Sequence, residues 1–125
     1  MSAFFELRIY SVFPGKMEEW VNYMEKIIIP FQVSKGMVIH GSFIERNLDT
    51  FKLVSGIRKM HRSENTDNYI WIRRFKNEAH KKRLYKAVYE SEEWINDIGP
   101  QVSKLIDRNS IIVHNLHSTE LSMMK

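Results

Sequence analysis

The sequence contains no cysteine and no long run of apolar residues. Without cysteine the chain cannot form a disulfide, use a thiolate nucleophile or bind zinc through sulfur. Its beginning lacks the basic stretch and apolar run that mark a signal peptide. No apolar stretch approaches the ~20 residues that cross a bilayer. These absences predict a cytoplasmic protein with no membrane partner.

The size and composition predict one folded domain spanning 1–125. A chain of 125 residues falls within the usual range of a single domain. Its hydrophobic fraction of 43% and aromatic fraction of 12% are enough to build a core, which excludes general disorder.

The formal charge of +4 and the pI near 9.4 make the chain mildly basic. Basic clusters of this kind could meet phosphates, but no nucleic-acid motif accompanies them. We therefore interpret them as a solvated helix face and a charged loop, and expect no nucleic-acid partner. The clustered residues are Arg73, Arg74, Lys76, Lys81, Lys82, Arg83 and Lys86, and then Lys52, Arg58, Lys59 and Arg62.

The hydrophobic period switches several times along the chain. Alternation at Phe5–Tyr10 predicts a two-faced strand, and apolar residues at helical spacing from Met17 to Phe31 predict a helix that Pro30 and Gly36 end. The further predicted elements are strands at Met37–Glu45 and Asn68–Phe75, a helix at Asn77–Trp94, a break at Gly99-Pro100, a short helix at Gln101–Ile106 and a strand at Ser110–His117. Residues 46–67 are interpreted as an inserted loop or hairpin, and residues 118–125 as a loose tail or an arm across a partner.

This order of elements is that of an α+β, ferredoxin-like βαββαβ fold, with an antiparallel sheet and two helices on one face. If the apolar sides of the strands pack on the helices, a polar and aromatic set is left on the uncovered face. A homodimer in which two such faces form a barrel would cover it. The set is Arg8, Tyr10, His40, Trp71, Arg73 and Phe75.

Several segments resemble the NIPSNAP family, which belongs to the dimeric α+β barrel group. They are Glu6-Leu7-Arg8-Ile9-Tyr10, Pro14-Gly15-Lys16, the strand from Trp71 to Phe75 and the helix from Tyr85 to Trp94. The likeness covers both ends of the chain and fails over 46–67. The group also holds cofactor-independent monooxygenases, muconolactone-type isomerases and heme-degrading enzymes. The resemblance implies a homodimer with a small-molecule pocket, whereas a shared fold does not fix the reaction.

The candidate catalytic residues are Arg73, Tyr10 and His40. An arginine among strand residues can stabilise negative charge that develops on an enolate or phenolate. Tyr10 would donate a hydrogen bond, and His40 titrates in the range of a general base. The alternative is a buried ion-pair network, with Glu6 as the counter-ion, that only holds the structure together. Both interpretations stay open.

The candidate substrate-binding residues are Arg8, Trp71, Tyr85 and Tyr89. Tyr85 and Tyr89 lie four residues apart, hence on one helix face, and could project hydroxyls into a pocket or simply pack. His114 and His117 fall on opposite faces of the last strand, and no cluster has the spacing of a metal site. We expect no metal.

Heme-degrading relatives use an asparagine on the first strand, a tryptophan on the third and a histidine on the second helix. Trp71 and His80 resemble the last two, but the first strand offers Glu6 or Arg8 in place of asparagine. We therefore expect no heme and no other cofactor. The favoured function is a small-molecule enzyme of the cofactor-independent monooxygenase or isomerase type. A non-catalytic dimeric module that binds a metabolite or a protein is the alternative.

Overall fold

The computed structural model describes residues 3–45 and 67–125. The inserted segment predicted at 46–67 lies outside them, apart from Asp67. The elements are β1 Phe4–Val12, α1 Met17–Tyr23, a π-helical turn Met24–Ile28, α2 Ile29–Ser34, β2 Val38–Ile44, β3 Asn68–Phe75, α3 Glu78–Tyr89, a second π-helical turn Trp94–Ile98, α4 Gly99–Leu105 and β4 Ile106–Leu116. In the described residues no helix is long and apolar enough to span a membrane.

The four strands form one antiparallel sheet in the order β2-β3-β1-β4. The helices pack on one face of this sheet, where aromatic side chains of β1 and β3 meet those of α1. This is the ferredoxin-like α+β arrangement, so the predicted fold is confirmed.

The prediction of which sheet face lies under the helices was wrong. Along β3 the side chains of Tyr69, Trp71, Arg73 and Phe75 are all buried on the helix side. The uncovered face carries instead the apolar residues that alternate with them along the strands, among them Ile9 and Ile112, which lie opposite each other in the ladder between β1 and β4. The prediction assumed that charge avoids the interior, but charges that neutralise each other can be buried together. Arg8, Tyr10, Trp71, Arg73 and Phe75 therefore belong to the helix side.

His40 does not share that side. The ladder between β2 and β3 shifts register between Ile39 and Gly41, so one extra residue interrupts the alternation. The His40 ring is exposed and packs edge-on against Phe5, with 5.1 Å between ring centroids. It thus lies across the sheet from Arg73, and the prediction that it joins Tyr10 and Arg73 was wrong.

The two prolines predicted to interrupt helices do not do so. Pro30 and Pro100 each occupy one of the first two positions of an α-helical segment, α2 and α4 respectively. There the missing N–H costs no hydrogen bond within that segment. Each is preceded by a π-helical turn, so the chain stays helical through both prolines. Both turns lie over the sheet and place side chains of the core.

Candidate functional site

A buried ion pair crosses the sheet between its two central strands. Glu6 on β1 lies opposite Arg73 on β3 in the ladder, and both residues are 0% exposed. The Nη2 of Arg73 donates to Oε1 of Glu6 at 2.5 Å. Because the strand register fixes both Cα positions, this pair is built into the sheet itself.

The guanidinium of Arg73 is almost fully engaged. Its Nη1 donates to Oε1 of Gln32 and to the hydroxyl of Tyr89, each at 2.8 Å. Its Nη2 also donates to the hydroxyl of Tyr85 at 2.9 Å, and the group stacks on Trp71 at 4.5 Å from the ring centroid. Only Nε is buried without an acceptor. Arg73 is consequently a poor candidate for clamping an anion and a good one for positioning its neighbours.

The carboxylate of Glu6 has cations on several sides. Besides Arg73, the Nζ of Lys81 lies 2.7 Å from Oε2, the Nε of Arg8 lies 3.1 Å from Oε1, and the Tyr85 hydroxyl donates to Oε2. Burial raises the pKa of Glu6, but the charge of Arg73 and the hydrogen bonds from Lys81, Tyr85 and Arg73 outweigh it and lower the pKa to about 2. Glu6 is therefore ionised and paired, and three cations surround a single carboxylate.

Arg8 is a cation of this cluster with donor capacity to spare. Its side chain is 19% exposed, and Nη1 donates to the Tyr10 hydroxyl at 3.0 Å. Its Nε lies close enough to Glu6 for an ion pair, but its N–H does not point at the carboxylate. This buried donor therefore has no hydrogen-bond acceptor. Burial raises the pKa of Tyr10 by more than the charge of Arg8 lowers it, so the phenol stays protonated. Both groups thus present N–H or O–H donors.

A cavity of about 50 Å³ lies beside Arg8 and Tyr10, between the sheet and the helices. That is more than the ~10–15 Å³ that a water molecule needs. Its polar lining consists of Arg8, Tyr10, Trp20, Trp71, Tyr89 and Arg108, and its apolar lining includes Met24, Ile28 and Trp94. The indole N–H groups of Trp20 and Trp71 are both buried without an acceptor. The described lining holds donors and no carboxylate, so it suits an anion.

The structure brings most of the predicted site residues together. Arg8, Tyr10, Trp71 and Tyr89 line the cavity. Tyr85 bonds both members of the buried pair, and it also lines an open groove along α3. Sequence reasoning missed three contributors: Gln32, Lys81 and Arg108. Gln32 sits within an apolar helical stripe, and Lys81 lies in a basic run, so neither had a signal that set it apart.

His80 does not join the cavity. Its backbone N–H is capped by the side chain of Asn77, and its Nδ1 accepts from the backbone N–H of Lys76 at 3.0 Å. Burial and the charges of Lys76, Arg83 and Arg74 lower its pKa. These contacts account for His80 as part of the start of α3.

The fold and the site together define an α+β protein of ferredoxin-like topology with a cationic cavity under its helices. A NIPSNAP family protein from Agrobacterium tumefaciens superposes on the chain with a TM-score of 0.73 at 21% identity, covering 97% of this chain and 90% of that one. A second Agrobacterium tumefaciens protein, a NIPSNAP family protein with unknown function, gives a TM-score of 0.76 at 14% identity over 99% and 95%. A NIPSNAP-like domain protein from Burkholderia xenovorans gives 0.73 at 15% identity over 96% and 88%.

This chain has the fold of the NIPSNAP proteins, as its sequence predicted. A scan against protein-family models gives no match, and neither does a comparison with the curated proteins. The likeness is one of fold, and the function has to be argued from the cavity.

Proposed function

We propose that this protein binds a small anionic molecule in the cavity beside Arg8. The observation that carries the proposal is a set of buried donors in the lining without a hydrogen-bond acceptor: Nε of Arg8, which makes only an ion-pair contact with Glu6, and the indole N–H of Trp71. A buried donor without an acceptor costs ~1–3 kcal/mol. An anion that accepts from these groups removes that cost, and the excess of cations over the single Glu6 carboxylate attracts it.

The chemistry that this lining supports best is stabilisation of an enolate or phenolate. Arg8 and the Tyr10 hydroxyl would donate to the oxygen on which charge develops, in a site screened from water by aromatic side chains. That is the chemistry of a cofactor-independent isomerase or monooxygenase acting on an enolisable substrate. In this proposal Arg8 and Tyr10 touch the substrate, Trp71 and Tyr89 form its walls, and Tyr85 and Arg73 position them.

A non-catalytic binding module is the second candidate, and the state of Glu6 favours it. Proton abstraction needs a base whose pKa lies near the working pH. Glu6, the carboxylate nearest Arg8 and Arg73, has its pKa lowered to about 2 and is held by several cations. An enzyme built this way would have to leave proton abstraction to a base from solvent or receive its substrate as an enol already formed.

Pyruvate is a suitable probe because it is small, anionic and enolisable. We expect it to bind, and Arg8→Gln to weaken the binding by about 10-fold or more, since a hydrogen bond to a charged group contributes ~1.5–3 kcal/mol. Isothermal titration calorimetry measures both affinities. The matched control is Arg83→Gln, which removes the same charge from an exposed site on α3 and should leave the affinity unchanged. Equal affinities for wild type and Arg8→Gln would contradict the proposal.

The two candidates are separated by the exchange of the pyruvate methyl protons in deuterated water, followed by NMR. An enzyme that stabilises the enolate accelerates this exchange above the rate in buffer. A binding module takes up pyruvate without accelerating it.

We also propose that the chain forms a homodimer through the uncovered face of the sheet. No described helix covers this face, and its apolar side chains are unusually exposed: Phe43 by 51%, Ile112 by 49% and Leu116 by 43%. Residues 117–125 return towards it, where Nε of Arg74 donates to the backbone carbonyl of Lys125 at 2.8 Å. An apolar surface of this kind in a soluble protein marks an interface, and a second copy offers an identical apolar face.

Sedimentation equilibrium tests the dimer. We expect the mass of two chains for wild type and of one chain for Ile112→Asp, because a carboxylate would be buried against an apolar face. The matched control is Ile95→Asp, since Ile95 is 58% exposed but lies in the helix layer on the other side of the sheet. This control should remain a dimer. A single-chain mass for wild type, or a stable dimer of Ile112→Asp, would contradict the proposed interface.

A further inference from the structure

A bulge in β4 places a second arginine against the cavity. The ladder between β1 and β4 pairs Ile9 with Ile112 and then resumes at Ser11 with Asp107, so β4 carries extra residues between these points. Local hydrogen bonds stabilise the bulge: the Ser110 hydroxyl donates to the Asp107 carbonyl at 2.8 Å, and the Asn109 N–H donates to the Asp107 carboxylate at 3.1 Å. Bulges re-aim side chains next to functional sites.

The residue that this bulge redirects is Arg108. It lines the cavity, and it is the only exposed residue among the described residues that do so. Arg108 therefore marks the mouth of the cavity, whereas Arg8 and Tyr10 lie deeper. Its Nη1 donates to the Ser103 hydroxyl at 3.1 Å, which orients a guanidinium group that carries five N–H donors.

The size of the cavity limits what can enter between these two arginines. A volume of about 50 Å³ is far below the ~150 Å³ of a cavity that holds benzene. Only one short end of a ligand therefore fits beside Arg8. The rest of the ligand has to extend towards the mouth, where it meets Arg108.

Resting on the proposed function in its anion-binding form, we infer that the ligand is a short dicarboxylate, with one carboxylate at Arg8 and Tyr10 and the other at Arg108. Planar guanidinium groups match carboxylates with two parallel hydrogen bonds. The described lining holds no carboxylate, and Glu6, which pairs with Arg8 from outside it, is shared with Arg73 and Lys81. Asp107, the nearest acidic neighbour in the chain, is engaged by the backbone N–H of Asn109. Two anionic groups thus match two cations at the two ends of one cavity.

The test compares dicarboxylates with monocarboxylates of the same length by calorimetry. The pairs are malonate with propionate, succinate with butyrate and glutarate with valerate. We expect the best dicarboxylate to bind wild type about 10-fold or more tightly than its partner, and Arg108→Gln to abolish that difference without changing the affinity for monocarboxylates. The matched control is Lys104→Gln, which removes a charge from an exposed position on α4 and should preserve the difference.

The outcomes separate this inference from the proposed function. If mono- and dicarboxylates bind equally, with a dependence on Arg8 and none on Arg108, the second carboxylate is wrong while the anion site at Arg8 stands. If neither series binds and pyruvate does not bind either, the proposed function fails and the inference fails with it.

Discussion

Replacing Arg73 with methionine lowers the free energy of unfolding by about 3–5 kcal/mol. The substitution keeps an unbranched side chain as far as the ε position but removes the cation that lies 2.5 Å from Glu6. The Glu6 carboxylate is 0% exposed, so it cannot turn to water for solvation. The hydrogen bond that Nη1 donates to Oε1 of Gln32 and the stacking on Trp71 are lost in the same step.

Urea unfolding followed by circular dichroism measures this loss. Arg83→Met is the matched control, because Arg83 is exposed on α3 and such surface substitutions usually stay within about 0.5 kcal/mol. Arg73→Lys should fall between the two, since an ammonium keeps the charge but cannot bond Glu6, Gln32 and both tyrosines from one planar group. A loss below about 1 kcal/mol for Arg73→Met would show that Lys81 and Arg8 suffice to balance Glu6.

This expectation changes the role of Arg73 from the one that the sequence predicted. In the function that we propose, the anion is bound by Arg8, whose Nε has no hydrogen-bond acceptor. Arg73 positions its neighbours: it donates hydrogen bonds to the hydroxyls of Tyr85 and Tyr89 and stacks on the ring of Trp71. The protein thus uses one buried arginine for positioning and leaves a second one partly unsatisfied.

The order of the elements could be predicted from the sequence because local periodicity reports it. The predicted bounds of the third strand, Asn68–Phe75, are those of β3. The choice of the covered face could not be predicted in the same way. Alternation separates the two sides of a strand but does not say which side is buried when one is apolar and the other holds paired charges. Glu6 and Arg73 decide that choice, and they are far apart in the sequence.

The parts of the site that sequence reasoning missed depend on bulges and on long-range packing. His40 does not join the predicted site residues because the ladder of β2 shifts register between Ile39 and Gly41. Arg108 lines the cavity because the ladder of β4 shifts register opposite Ile9 and Ser11. The shift in β2 falls at Gly41, and a glycine inside a strand often marks a bulge, whereas no glycine lies at the shift in β4. Gln32 reaches Arg73 from α2, across the interface between helix and sheet. Such contacts follow from tertiary packing.

Acid should destabilise this protein through Glu6 in a pH range that is set by its two pKa values. In the unfolded chain the carboxyl has its ordinary pKa of 4.5, and in the folded chain the surrounding cations outweigh burial and lower the pKa to about 2. A group whose folded pKa is lowered contributes stability that is fully present above the unfolded pKa. That contribution is lost as the pH falls from 4.5 through about 2. The difference between the two values corresponds to about 3 kcal/mol at neutral pH.

Glu6→Gln isolates this contribution, because every other carboxylate titrates in both proteins. At pH 7 the variant should be less stable than wild type by about 3 kcal/mol, since Arg8, Arg73 and Lys81 lose their shared anion. As the pH falls below 4.5, the difference in the free energy of unfolding between wild type and Glu6→Gln should narrow. Near the folded pKa of about 2 the two free energies should converge. Urea unfolding at a series of pH values measures the gap. Glu19→Gln, at a side chain that is 53% exposed, should track wild type throughout. A gap that stays constant from pH 7 to about 2 would mean that Glu6 contributes through its shape and hydrogen bonds, and that its ionisation is not coupled to folding.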